Sequence, residues 1–108
     1  MNKKNNKQIE IKKITRDIVK KYNPEKIILF GSLAWGKPSR DSDVDLFIIK
    51  KTKKNLLERI RDVDRILLDR IIPLDILVYT PEQIKKRLNL GDFFIKDILT
   101  KGKVLYEK

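Results

Sequence analysis

Three short apolar runs, at residues 26–30, 43–50 and 74–79, interrupt a chain in which 38% of residues are charged. They are rich in β-branched and aromatic residues and read as strands. With so much charge elsewhere, these runs must supply the floor of any core the chain buries. In the second run Val44, Leu46 and Ile48 alternate with Asp43, Asp45, Phe47 and Ile49. A period of two sends the two sets to opposite faces. Both sets turn apolar along the run, which predicts a central strand covered on each side.

Around these runs the period becomes helical. Ile11, Ile14, Ile18 and Tyr22 make a stripe from about Ile9 to Tyr22, closed by Asn23-Pro24. Residues 1–7 are polar and are expected to be flexible. Within 54–70, Leu56, Ile60, Val63 and Leu67 form a second buried stripe. Thr80-Pro81-Glu82-Gln83 has the chemistry of a helix start, with a capping threonine, proline at the first position and glutamine to close a capping box. That helix should run to Gly91. A last helix, roughly Asp92–Lys101, is expected to bury Phe94, Ile95, Ile98 and Leu99 and to stop at Gly102, with Val104–Tyr106 as a short extended tail. The first two strands are joined briefly and should be antiparallel. The second and third are joined across a helix and should be parallel, with a right-handed crossover. The expectation is one α+β domain over residues 1–108: a small mixed sheet of about three strands with helices packed on one side.

Cysteine and histidine are both absent. That removes disulfides, zinc sites, histidine bases and cysteine nucleophiles. A metal here must be a hard cation held by carboxylate oxygens. No run is long enough to cross a bilayer and the N-terminus lacks the apolar core of a secretory signal, so a cytoplasmic protein is expected, with no membrane partner. The net charge is +11, yet residues 31–49 carry two Lys/Arg against three Asp/Glu. A locally acidic segment therefore sits in a basic protein. The basic surface suits a polyanion, and equally suits plain solvation.

That acidic segment carries the chemistry. A strand ends in Gly31-Ser32 and a helix begins; glycine allows close backbone approach, and amides at a helix start suit phosphate. Ten residues later comes Asp43-Val44-Asp45 on a strand. Alternation puts both aspartates on one face, their Cα atoms about 6.5 Å apart. Carboxylates so placed can share a pair of Mg²⁺ ions about 4 Å apart. Asp75 opens the third strand and can face the same side if the strands are neighbours. Three converging carboxylates would repel one another unless a cation neutralised them.

Gly-Ser, ten residues and Asp-x-Asp, followed by a strand aspartate, resembles the polymerase-β-like nucleotidyltransferase superfamily. Within it the chain is similar to the minimal nucleotidyltransferases, the antitoxin partners of HEPN-domain toxins, over nearly its whole length, including Gly102-Lys103-Val104-Leu105-Tyr106. The resemblance implies that Gly31 and Ser32 hold a nucleoside triphosphate, that Asp43 and Asp45 bind both Mg²⁺ ions, and that Asp75 binds one and assists deprotonation of the attacking hydroxyl. It further implies that ATP donates AMP to a tyrosine of a HEPN toxin, in a hetero-oligomer with that toxin. Many relatives carry an arginine in the Gly-Ser helix, where this chain has Leu33 and Trp35. Lys37 and Arg40 are the candidates to replace its contact with the triphosphate.

Each of these features alone has a plainer meaning: Gly31-Ser32 a strand-to-helix turn, Asp41-Ser42-Asp43 an Asx turn, Asp75 an edge-strand aspartate. Their combination favours the transferase. Trp35 is balanced between core filler and an adenine- or partner-facing surface. Phe93 and Phe94 read as core or interface. Arg59, Arg61, Arg65 and Arg70 read as the solvated face of a helix, and Lys3, Lys4 and Lys7 as a soluble tail. Two rival functions stay open: a catalytically silent antitoxin that neutralises by binding, and a transferase acting on a small molecule. Nucleic-acid binding is the weakest reading.

Overall fold

A computed structural model of the chain describes residues 3–36 and 43–108, with side chains from Lys7 onward. The elements are α1 (Lys3–Tyr22), β1 (Lys26–Phe30), α2 (Ser32–Trp35), β2 (Val44–Ile49), α3 (Leu56–Ile66), β3 (Leu74–Tyr79), α4 (Pro81–Asn89), α5 (Phe93–Lys101) and β4 (Lys103–Glu107). Helix α1 starts at Lys3, well before the apolar stripe that anchors it. Among the described residues no helix is long and apolar enough to cross a membrane.

The sheet order is β3-β2-β1-β4. As the connections predict, β1 and β2 are antiparallel and β2 and β3 parallel. The expected three strands are four. The tail pairs antiparallel with β1, Leu29 opposite Lys103 and Ile27 opposite Tyr106, across an irregularity between Ile27 and Ile28. The cause is the other edge of β1, whose residues are buried and whose backbone groups need partners. Gly102 makes the return tight: a Cβ there would overlap Ile28 and the carbonyl of Ile98.

The expectation of helices on one side is also corrected. Ile27, Leu29, Leu46 and Ile48 meet Ile14 and Ile18 of α1 and Val63 of α3 on one face. Ile28, Phe30 and Phe47 meet Ile84 of α4 and Ile95 and Ile98 of α5 on the other. Central strands apolar on both sides need two covers.

Helix α3 is shorter than expected, and Leu56 is exposed rather than on its buried stripe. In its place Arg59 is buried, 7% exposed. Its Nε donates to the Lys54 carbonyl at 2.7 Å, and one terminal nitrogen donates to the Val78 carbonyl at 3.1 Å and to Gln83 Oε1 at 2.6 Å. Arg59 therefore ties α3 to the end of β3 and the start of α4, where the predicted capping box of Thr80 and Gln83 is formed. Phe94 is half exposed and Phe93 more so, against the expectation that the last helix buries Phe94.

Candidate active site

The register of the sheet assembles the site. Asp45 lies beside Asp75 in the parallel pair and beside Phe30 in the antiparallel pair. All this occurs at the end of the sheet where β1 finishes and β2 and β3 begin. Asp43 directly precedes β2 and is exposed, as is Asp75; Asp45 is half-buried.

Burial pushes the Asp45 carboxyl up to about 6, aided by the charge of Asp75, a hydrogen bond between the two carboxyls and the charge of Asp43. Two carboxyls can share a hydrogen bond only if one carries a proton. A hard divalent cation relieves the same repulsion without that proton, so the donor set fits one. Among the described residues no three acidic groups already enclose a single point. Asp43 bears on Asp45 through charge alone.

Gly31 closes the other side. Its φ of 78° is a conformation that side chains other than glycine's rarely adopt, and a Cβ there would overlap the Asp45 carboxylate. Only glycine lets the turn pass this close. The Gly31 carbonyl receives the amides of Ala34 and Trp35 at 3.0 and 3.1 Å, starting α2. Gly31 is the cap of that helix, and Gly36 ends it. Ser32 is thus the first helical residue, and its amide has no carbonyl one turn back to bond.

Helix α2 is anchored through Leu33 and Ala34, which pack against the core shared with α1 and α3. That packing accounts for an apolar residue at Leu33. Trp35 faces another way, 43% exposed, its ring 6.4 Å from Phe30. Phe30 in turn meets Phe94 edge-on at 5.8 Å. The aromatic rim of Trp35, Phe30 and Phe94 was missed in the sequence; the available signal was that alternation places Phe30 on the face of Asp45 once the two strands pair. Lys37 and Arg40 lie outside the described residues.

A mixed sheet with a carboxylate pair beside a glycine turn defines the class: a nucleotidyltransferase. The signature of the family described as polymerase beta, nucleotidyltransferase, matches residues 12–108, and the chain belongs to that family. It is 30% identical over 103 residues to a candidate protein adenylyltransferase of Methanocaldococcus jannaschii, covering 94% of this chain and 99% of that one. Its fold is similar to the crystal structure of a candidate nucleotidyltransferase from Sulfolobus solfataricus, with TM-score 0.66 and 20% identity over 100% of this chain and 90% of that one. It is also similar to a chain of the toxin–antitoxin pair MntA–HpeT, solved as a variant with two aspartates, two positions apart, changed to glutamate. There the TM-score is 0.54 and the identity 21%, over 100% of this chain and 75% of that one.

Proposed function

We propose that the protein transfers AMP from ATP to a hydroxyl of another protein, with a HEPN-type toxin as acceptor, and so acts as an antitoxin. The observation that carries the reading is the register pairing of Asp45 with Asp75, with Asp43 close in charge and Gly31 in contact. The relative named as a candidate protein adenylyltransferase supports the donor and the protein acceptor. The structural likeness to a chain of a toxin–antitoxin pair is consistent with the partner.

The surface beside the site also favours a protein acceptor. Trp35 and Phe94 are large, apolar and exposed, and both rest on Phe30 next to Asp45. A protein partner covers apolar surface of this kind; a small acceptor would leave it wet.

In the reaction an acceptor hydroxyl oxygen bonds to the α-phosphorus, the bond to the bridging oxygen breaks, and pyrophosphate leaves. Asp43, Asp45 and Asp75 would hold two Mg²⁺ ions, whose chemistry is to neutralise charge on the phosphates. Asp75, exposed at the head of β3, takes the proton of the attacking hydroxyl. The turn at Gly31 and Ser32 holds the triphosphate against the start of α2, assisted by Lys37 and Arg40. The rest of catalysis is positioning.

The test is intact-mass spectrometry of the neighbouring gene's product after incubation with the protein, ATP and Mg²⁺. The expected result is a gain of one or more AMP units that disappears with Asp43→Asn. An unchanged mass beside a stable complex would refute transfer and leave neutralisation by binding.

A further inference from the structure

We propose that the cleft between the end of α1, the end of β2 and α3 is a second anion site, which takes a phosphorylated ligand of nucleotide size. The inference goes beyond the transferase reading and shares no residue with it. Lys50 follows the last residue of β2, five positions beyond Asp45. At the rise of a strand that puts the cleft about 16 Å from the carboxylates.

The cleft is an open one of about 400 Å³, within the size range of small-molecule sites. Four cations line it, Lys21, Lys50, Lys54 and Arg65, against the single carboxylate of Asp62. That carboxylate is already taken by Lys54, at 2.8 Å. Lys50 is fixed in place: its ammonium donates to the carbonyls of Tyr22 and Asn23 at 2.6 and 3.2 Å and lies 4.9 Å from the centre of the Tyr22 ring. The Tyr22 carbonyl ends α1, so the negative end of the helix orients that charge and offsets part of it. Among the described residues, Lys21 and Arg65 have no ion pair at all.

The result is an excess of positive charge in a concave site with a partly apolar wall, Tyr22 among its members. Such a site focuses its field on an anion, and holding the cations together without one is unfavourable. The apolar wall and the volume distinguish the expected ligand from inorganic phosphate: a sugar or base fills what a bare anion leaves empty.

The test uses the full ¹⁵N-labelled chain with ADP in EDTA, which keeps a magnesium-requiring site silent. Saturable shifts are expected at the amides of Lys21, Tyr22, Lys50 and Thr52, with residues 31–35 unmoved. Lys21→Glu/Arg65→Glu should weaken binding by about tenfold or more, as should raising salt from about 50 to about 200 mM. Both side chains are solvent-exposed, so folding should be unaffected, and the milder Lys21→Gln/Arg65→Gln pair should move affinity in the same direction. The proposal is overturned if the charge-reversed pair binds ADP as well as the parent, if the shifts fall on residues 31–35 instead, or if inorganic phosphate at equal concentration reproduces them.

Discussion

Replacing Asp45 by asparagine should abolish nucleotidyl transfer and at the same time stabilise the fold. An ordinary aspartate gives up its proton near 3.8, whereas Asp45 holds its proton up to about 6. At about 1.4 kcal/mol per pH unit, complete ionisation would cost the folded state roughly 3 kcal/mol. Solvent reaching the half-buried side chain screens this to about 1–2 kcal/mol. The sign follows from the raised value: the folded protein binds this proton more tightly than the unfolded chain. The cost is therefore absent below pH about 4, grows as the pH rises through about 6, and is complete above it. Asparagine keeps the shape, carries no charge, and can donate an N–H to Asp75. For a domain of this size the gain is about 5–10 °C in Tm at neutral pH without divalent ions, shrinking by about half at pH 5. In the proposed function Mg²⁺ is held by the carboxylates of the folded parent, so adding it should narrow the gap. Thermal melts of both proteins at pH 7.5 and 5, in EDTA and in Mg²⁺, measure all of this. An asparagine variant no more stable than the parent at pH 7.5, or one whose advantage ignores pH, would refute the reasoning.

Gly31→Ala forces a side chain into a left-handed backbone and onto the Asp45 carboxylate; it should cost about 1–2 kcal/mol in urea titration, and the displaced carboxylate should lower transfer about 100-fold in a labelled-AMP assay. Arg59→Met should cost about 2–3 kcal/mol by the same titration, because it strands the carbonyls of Lys54 and Val78, while leaving the rate per folded molecule unchanged. Asp92 caps α5 and is held below the usual carboxylate range, first by the amide of Ile95 and then by Arg87. Its support is complete above the ordinary aspartate value and is lost as the pH falls through the lowered one, so Asp92→Asn should flatten the acid limb of stability in melts between pH about 2 and about 5. Chelating divalent ions should stop transfer and leave the far-UV circular dichroism spectrum in place.

Where local chemistry decides a structure, the sequence could be read closely. The strands β1 and β3 have the bounds their apolar runs predict, and α4 begins with the box that Thr80, Pro81 and Gln83 encode. Strand β4 was harder. Lys103-Val104-Leu105-Tyr106-Glu107 has two exposed residues at its head and weak alternation, and it becomes a strand because β1 needs a partner. The second helical layer has a signal in the sequence: Phe47 and Ile49 share the face of Asp45, and Phe47 is fully buried there. Arg59 had one too. It is four residues before Val63 and eight before Leu67, so it lies on their stripe, and a charge on a buried stripe announces a bonded side chain. At the site, the spacing of Gly31, Asp43 and Asp45 was legible, but the neighbour of Asp45 was not. Only the order of strands decides that Asp75 rather than another residue stands beside it.

The cost borne by Asp45 is linked to the charge of the whole chain. Three carboxylates at the end of a sheet repel one another and would also repel a triphosphate. Burial first, and the first repulsion after it, raise the proton affinity of Asp45. The second is opposed by a chain whose net charge is +11 although three of its acidic residues fall within residues 41–45. Beyond a Debye length of about 8 Å individual surface charges are screened in physiological salt, so the basic surface cannot hold a bound nucleotide in place. It can raise the local concentration of polyanions and of an acidic partner around the protein. On the proposed function, holding the nucleotide falls to groups at the site itself, where backbone amides and divalent ions would act at contact distance. Two tasks would then be separate: long-range attraction by a surplus of lysine and arginine, and short-range chemistry by carboxylates whose mutual repulsion a cation relieves.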